Sequence, residues 1–183
     1  MSGLNQHFCL LARYNTWMNA KLYDAAAMLP PAALALDRGA FFGSIMGTLN
    51  HLVVADTIWL KRFAHHPAQD PVQHAALDPV RQLPSPAGLD AVLFTDLALL
   101  RQRRTLLDGA ISAWTAVLTA EDLAHNLDYA NTKGVLNRKN VAALLLHFFN
   151  HQTHHRGQVT TLLTQAGVDV GVTDLVTLIP NAP

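Results

Sequence analysis

Ten histidines in a chain where only 14% of residues are charged are an unusual allocation, because a neutral imidazole still needs hydrogen-bond partners when it is buried. Three of them are placed for metal chemistry. His151 and His155 stand one helical turn apart in FNHQTHHRGQV, so on a helix both side chains leave the same face, about 6 Å apart at the backbone. The neighbouring turns carry Leu144, Phe148, Val159 and Leu162, which points that face at a protein interior. His51 lies in IMGTLNHLVVADTIWLKRF, with Gly47, Val54, Ala55 and Ile58 around it. Three neutral imidazoles from two facing helices would hold a divalent ion and leave room for water, as catalytic metal sites require. Zinc or nickel suits imidazole donors best, and manganese or iron is compatible. No Glu follows the first histidine of the pair, so the zinc-peptidase helix motif is absent. By spacing alone the pair also reads as hydrogen-bonded core, and nothing in the residues by themselves brings His51 to the other two.

Positioning these side chains falls to long amphipathic helices. Leu4, Phe8, Leu11, Met18, Leu22, Ala25 and Leu29 form a core-facing stripe, interrupted by Asn15 and ended by Pro30-Pro31. Ser44 is suited to cap a second helix that stops around His65-His66-Pro67. From 65 to 88 five prolines and little periodicity predict a long surface excursion rather than a second domain. A third helix places Leu93, Leu97, Leu100, Leu107, Ile111, Trp114 and Leu118 on one face and leaves Arg101, Arg103 and Asp108 for water. Thr119 with Glu121 and Asp122 predicts a short capped helix. LDYANTKGVLNR predicts a small hairpin turning at Thr132-Lys133-Gly134. Asn137 or Asn140 can cap a fourth long helix that Gly167 ends, leaving an ordered tail. The expected fold is all-α: one domain over 1–183, a four-helix bundle with one long crossover and a hairpin before the last long helix.

Composition narrows the partners. Lys plus Arg and Asp plus Glu number 13 each, so no global field steers the chain to nucleic acid or an anionic membrane. The cluster RQRR at Arg101 to Arg104 is too short for a nucleic-acid face. Cys9 is the single cysteine and forms no internal disulfide. The start MSGLNQHF lacks a signal peptide's basic region and apolar run, and no apolar run spans a bilayer; a cytoplasmic, soluble protein is expected.

Three segments carry a family resemblance. FNHQTHHRGQVTTLLTQAG, from Phe149 to Gly167, resembles the C-terminal signature of the DinB-like family of damage-inducible proteins, with support from RYNTWMN (Arg13 to Asn19) and FGSIMGTLNHLVVADTIWLKRF (Phe42 to Phe63). The resemblance covers nearly the whole chain. It implies a four-helix bundle of up-down-down-up type, often dimeric, with an ion bound by one histidine of the second helix and two of the later HxxxH; His51, His151 and His155 match. It leaves the reaction open, since relatives of the fold include thiol-dependent S-transferases and suspected metal-dependent hydrolases.

The remaining polar residues are assigned bystander roles. His147 reads as a core or interface histidine rather than a fourth ligand, and His154 as a groove or dimer-contact residue. Asp56, rotated away from His51, is expected in a structural ion pair or hydrogen bond. Arg156 is expected to pair with Asp56 or a substrate carboxylate, Gly157 to admit a neighbouring helix, and Tyr14 and Trp17 to pack. His65, His66, His74 and His125 read as solvated loop residues. No Ser, Cys or carboxylate nucleophile stands beside the three histidines, so the catalytic residues are unassigned. Any reaction must use what the ion activates: water, for a hydrolase of a small-molecule substrate, or a small thiol, for an S-transferase. A non-catalytic metal-binding stress-response module is the remaining alternative. The high apolar content predicts a homodimer built through helix faces.

Overall fold

The computed structural model describes residues 3–65 and 71–181, with backbone only for 71–74. His66, Pro67 and the His74 side chain therefore lie outside the described residues. The chain is mostly helical. Its long helices are α1 (Gly3–Ala26), α3 (Ile45–Ala64), α5 (Leu97–Val117) and α7 (Val141–Gln165), with short helices α2 (Pro31–Ala35), α4 (Pro71–Arg81) and α6 (Ala120–Ala124). A two-stranded antiparallel hairpin, β1 (Asn126–Ala130) and β2 (Leu136–Asn140), precedes α7, and a 3₁₀ turn over Leu175–Leu178 follows it.

Local chemistry accounts for most boundaries. Ser44 Oγ accepts from Gly47 N at 3.0 Å and starts α3. Thr119 and Asp122 form a reciprocal capping box at α6. Of the two asparagines considered, Asn140 caps α7, accepting from Ala143 N at 3.1 Å. Gly167 takes φ 84°, which an L side chain resists. Around it Val168 N reaches Leu163 O and Gly167 N reaches Thr164 O, a Schellman end to α7.

Helix α1 packs on α5 and α7, and α3 packs on the same two. Phe8, Leu22, Leu49, Phe63, Trp114 and Phe148 are among the side chains filling the space between them. Tyr14 and Trp17 pack as expected: their rings are 6.0 Å apart, and the Tyr14 hydroxyl donates to Thr173 O at 2.7 Å, tying the tail to α1.

Four expectations need correction. The excursion at 65–88 contains α4, whose Leu77 and Val80 are fully buried and which packs on α3 and α5. Proline disguised it: Pro71 opens the helix, where its missing N–H costs nothing, and Pro79 lies in the last turn. The third long helix begins at Leu97 behind an Asp96 cap, leaving Leu93 and Phe94 in the loop before it. Asp108 is buried rather than facing water. Gly157 is exposed, and a Cβ there would meet nothing within 4 Å among the described residues, so it seats no neighbouring helix of them.

Candidate metal centre

Helix α3 delivers His51 and α7 delivers His151 and His155 to one point, where donor nitrogens of all three lie within 4.8 Å of one another. Ring centroids are 4.4 to 5.1 Å apart, and His51 Nε2 stands 3.2 Å from His151 Nε2. Two nitrogens on a tetrahedral ion with bonds near 2.05 Å are separated by about 3.3 Å, so the pair already has the spacing of shared ligation. His51 and His155 are buried, and His151 is half-buried.

Hydrogen bonds at the far ring nitrogens settle which atom is offered. His51 Nδ1 donates to Leu89 O at 2.7 Å, since a carbonyl only accepts. His155 Nδ1 stands 2.8 Å from Gln158 Oε1 and donates to it in the same way. Both rings are thereby held as tautomers whose Nε2 lone pair is free, the arrangement that orients metal-ligating imidazoles. His151 Nδ1 is buried without a partner among the described residues. Burial lowers the pKa of all three; for His151, burial and then the adjacent His155 and His51 carry it down to about 3. Neutral imidazole is the form a metal requires. The residues present therefore fit a divalent ion.

Two supports for this geometry had no role in the sequence reading. The Phe42 ring stacks on His51 with centroids 3.7 Å apart and planes 17° from parallel. Phe42 comes this close because Gly47 lies beneath it: a Cβ at Gly47 would sit 2.1 Å from Phe42 O. The loop carrying Leu89 is fastened by Asn50, whose Oδ1 accepts from Leu93 N at 2.8 Å and Phe94 N at 3.0 Å. An amide inside the apolar face of α3, next to His51, was the available signal.

A cavity of about 650 Å³ opens onto the three histidines and is lined by Phe41, Phe42, Leu89, Asp90, His154 and Gln158. His154 is thus a groove residue, with its ring 4.8 Å from His155. His147 stays out of the cluster; its ring lies 6.0 Å from that of His151 and 5.3 Å from Trp59. Asp56 is structural: it accepts from Arg104 Nη1 at 2.5 Å and Gln152 Nε2 at 2.7 Å. Arg156 forms no ion pair with Asp56 among the described residues, and instead donates to Asn15 Oδ1 and, at 3.2 Å, to Thr153 Oγ1. Cys9 donates its thiol to Thr115 O at 3.4 Å and lines neither wall of the site.

A mostly helical chain presenting three convergent imidazoles, two of them with pinned tautomers, defines a helical protein with a candidate mononuclear metal centre. A sequence model of the DinB family matches residues 1–181, and the chain belongs to that family. It is similar to Protein DinB of Bacillus subtilis (strain 168), 26% identical over 164 residues, covering 90% of this chain and 88% of that relative. No solved structure matches the chain. No helix among the described residues is long and apolar enough to cross a membrane.

Proposed function

We propose that the chain is a metal-dependent hydrolase of a small-molecule substrate, built as a single four-helix bundle of up-down-down-up type with zinc or nickel at His51, His151 and His155. The observation that carries this reading is an open donor set: three imidazoles face a cavity of about 650 Å³, and no fourth His, Cys, Asp or Glu joins the cluster among the described residues. A purely structural site would be closed by four protein ligands.

A divalent ion bound there supplies Lewis acidity, lowering the pKa of a water so that a nucleophile forms near neutral pH. The remaining work belongs to the protein. Leu89 O and Gln158 hold the Nδ1 protons of His51 and His155 and fix both rings. Phe41 and Phe42 form the apolar wall of the cavity. Asp90 and His154 line the cavity besides the three histidines, and either would serve as the base that accepts a proton from a water activated there.

The test is to load the protein separately with zinc, nickel and manganese and screen esters, amides, and electrophiles with and without a small thiol. Hydrolysis without thiol, lost in His51→Ala and reduced in Asp90→Asn or His154→Gln, is expected. Turnover that requires a low-molecular-weight thiol replaces the reading with S-transfer. Absence of turnover with every metal replaces it with a metal-binding module.

A further inference from the structure

The candidate centre lies between two cavities of opposite character. The larger is walled by Phe41 and Phe42 and carries Asp90. A smaller one, about 280 Å³, touches the other side of His51 and His151 and runs along α3 past Trp59 to Arg62 and Tyr129. Residues of both cavities meet at His51, His151 and Leu89.

Arg62 is an unusual lining residue. Its guanidinium carbon lies 4.7 Å from the Trp59 ring centroid and 4.9 Å from that of Tyr129. Nη2 donates to Ala130 O at 3.1 Å, which uses one of five N–H donors. Among the described residues no carboxylate stands within ion-pair distance of it. The side chain is half-buried, and burial lowers its pKa. A partly desolvated cation without an anionic partner is costly, and two ring faces offset only part of that cost. The rings also restrain the planar fork, so its unused donors are pre-organised for a bidentate acceptor such as a carboxylate.

We propose that Arg62 binds a carboxylate of the substrate, in the cavity that continues from His51 and His151 along α3. The substrate is then a small carboxylic acid whose reacting bond lies at the histidines and whose apolar substituent enters the Phe41 and Phe42 side. Asp90 repels an anion from that larger cavity, which sets the direction of binding. His147 and Trp59, in ring contact between His151 and Arg62, line the path connecting the two ends. Placing the reacting bond at the histidines rests on the hydrolase reading; the carboxylate subsite itself does not.

The experiment uses acetohydroxamate and the monohydroxamates of succinic, glutaric and adipic acid as probes of the zinc-loaded protein, read by calorimetry. At least one carboxylate-bearing probe is expected to bind about tenfold or more tighter than acetohydroxamate. Arg62→Met should erase that preference and Arg62→Lys should keep part of it, while acetohydroxamate binds all three proteins alike. Where the hydroxamates bind, absence of a preference in the unaltered protein, or its survival in Arg62→Met, overturns the proposal. A second readout needs neither variant nor metal: the Arg62 Nε–Hε resonance of the metal-free protein should shift on titration with glutarate. A silent resonance also overturns the proposal. If it shifts while no hydroxamate binds, the carboxylate subsite stands and the hydrolase reading falls.

Discussion

His51 and His155 send their Nδ1 protons to fixed oxygens, whereas His151 has none for its own among the described residues. The three candidate ligands are therefore unequal in orientation, but an ion held there would need all of them, because two imidazoles do not retain an ion as three do. His151→Ala or His155→Ala should abolish stoichiometric metal retention while His147→Ala spares it, as read by elemental analysis of the purified variants. Gln158→Leu should weaken affinity by about 10–100-fold, the usual effect of losing a group that orients a ligand; a competing chelator measures it. Acid sensitivity follows from the pKa directions. His151 is held neutral in the folded protein down to about 3, by burial first, while in the unfolded chain it takes up a proton near 6.5. Its contribution to the metal-free protein is present above about 6.5 and drains as pH falls toward the folded value. Urea unfolding of metal-free protein should show stability falling between pH 6.5 and 4, with a shallower fall in His151→Ala.

At the scale of elements, α1, α3, α5 and α7 are joined by one buried polar network. Arg104 bridges Asp56 on α3 and Asp108 one turn along α5, the latter at 3.0 Å. Asn15 and Asn19 of α1 donate to Asp108 at 2.9 Å, and Gln152 of α7 donates to Asp56. Burial opposes the charge on Arg104, but Asp108 and Asp56 outweigh it and hold the guanidinium protonated. Removing Arg104 strands two carboxylates, so Arg104→Ala should cost about 3–5 kcal/mol in denaturant unfolding, with zinc content per folded molecule unchanged. This network marks the limit of what the residues disclose. Caps and stops at Ser44, Thr119, Asn140 and Gly167 were legible because each acts within a few residues of itself. The burial of Asp108 was not, since its α1 partners are 93 and 89 positions away and helix periodicity alone left it for water. The same holds at the site: the HxxxH pair is a local signal, whereas Leu89 and Asp90 reach it through a loop held by Asn50, and the proline-rich stretch before them hid α4.

At the scale of the whole molecule, an uncharged helix face runs along α5 among the described residues. Around α5, Gln102, Thr105, Leu106, Gly109, Ala113 and Ala116 are exposed, and none carries a charge. Across the groove from them, α1 presents the equally small Thr16 and Ala20. Small uncharged residues let helix backbones approach closely. We propose that two copies of the chain associate through α1 and α5, burying more than about 1,000 Å² in total, the size needed for a specific interface. Because self-association through one patch is isologous, the same residue meets the dyad from both sides and a single substitution acts twice. Gly109 is the sharpest probe, since a Cβ there meets nothing within 4 Å in the isolated chain. Gly109→Arg should leave helix content and metal retention unchanged while converting a dimer mass of about 40 kDa, twice the 20.0 kDa chain, to that of a monomer. Light scattering at micromolar concentration reads the mass. A monomer in the unaltered protein ends the proposal, and a dimer that persists in Gly109→Arg moves the interface to another face.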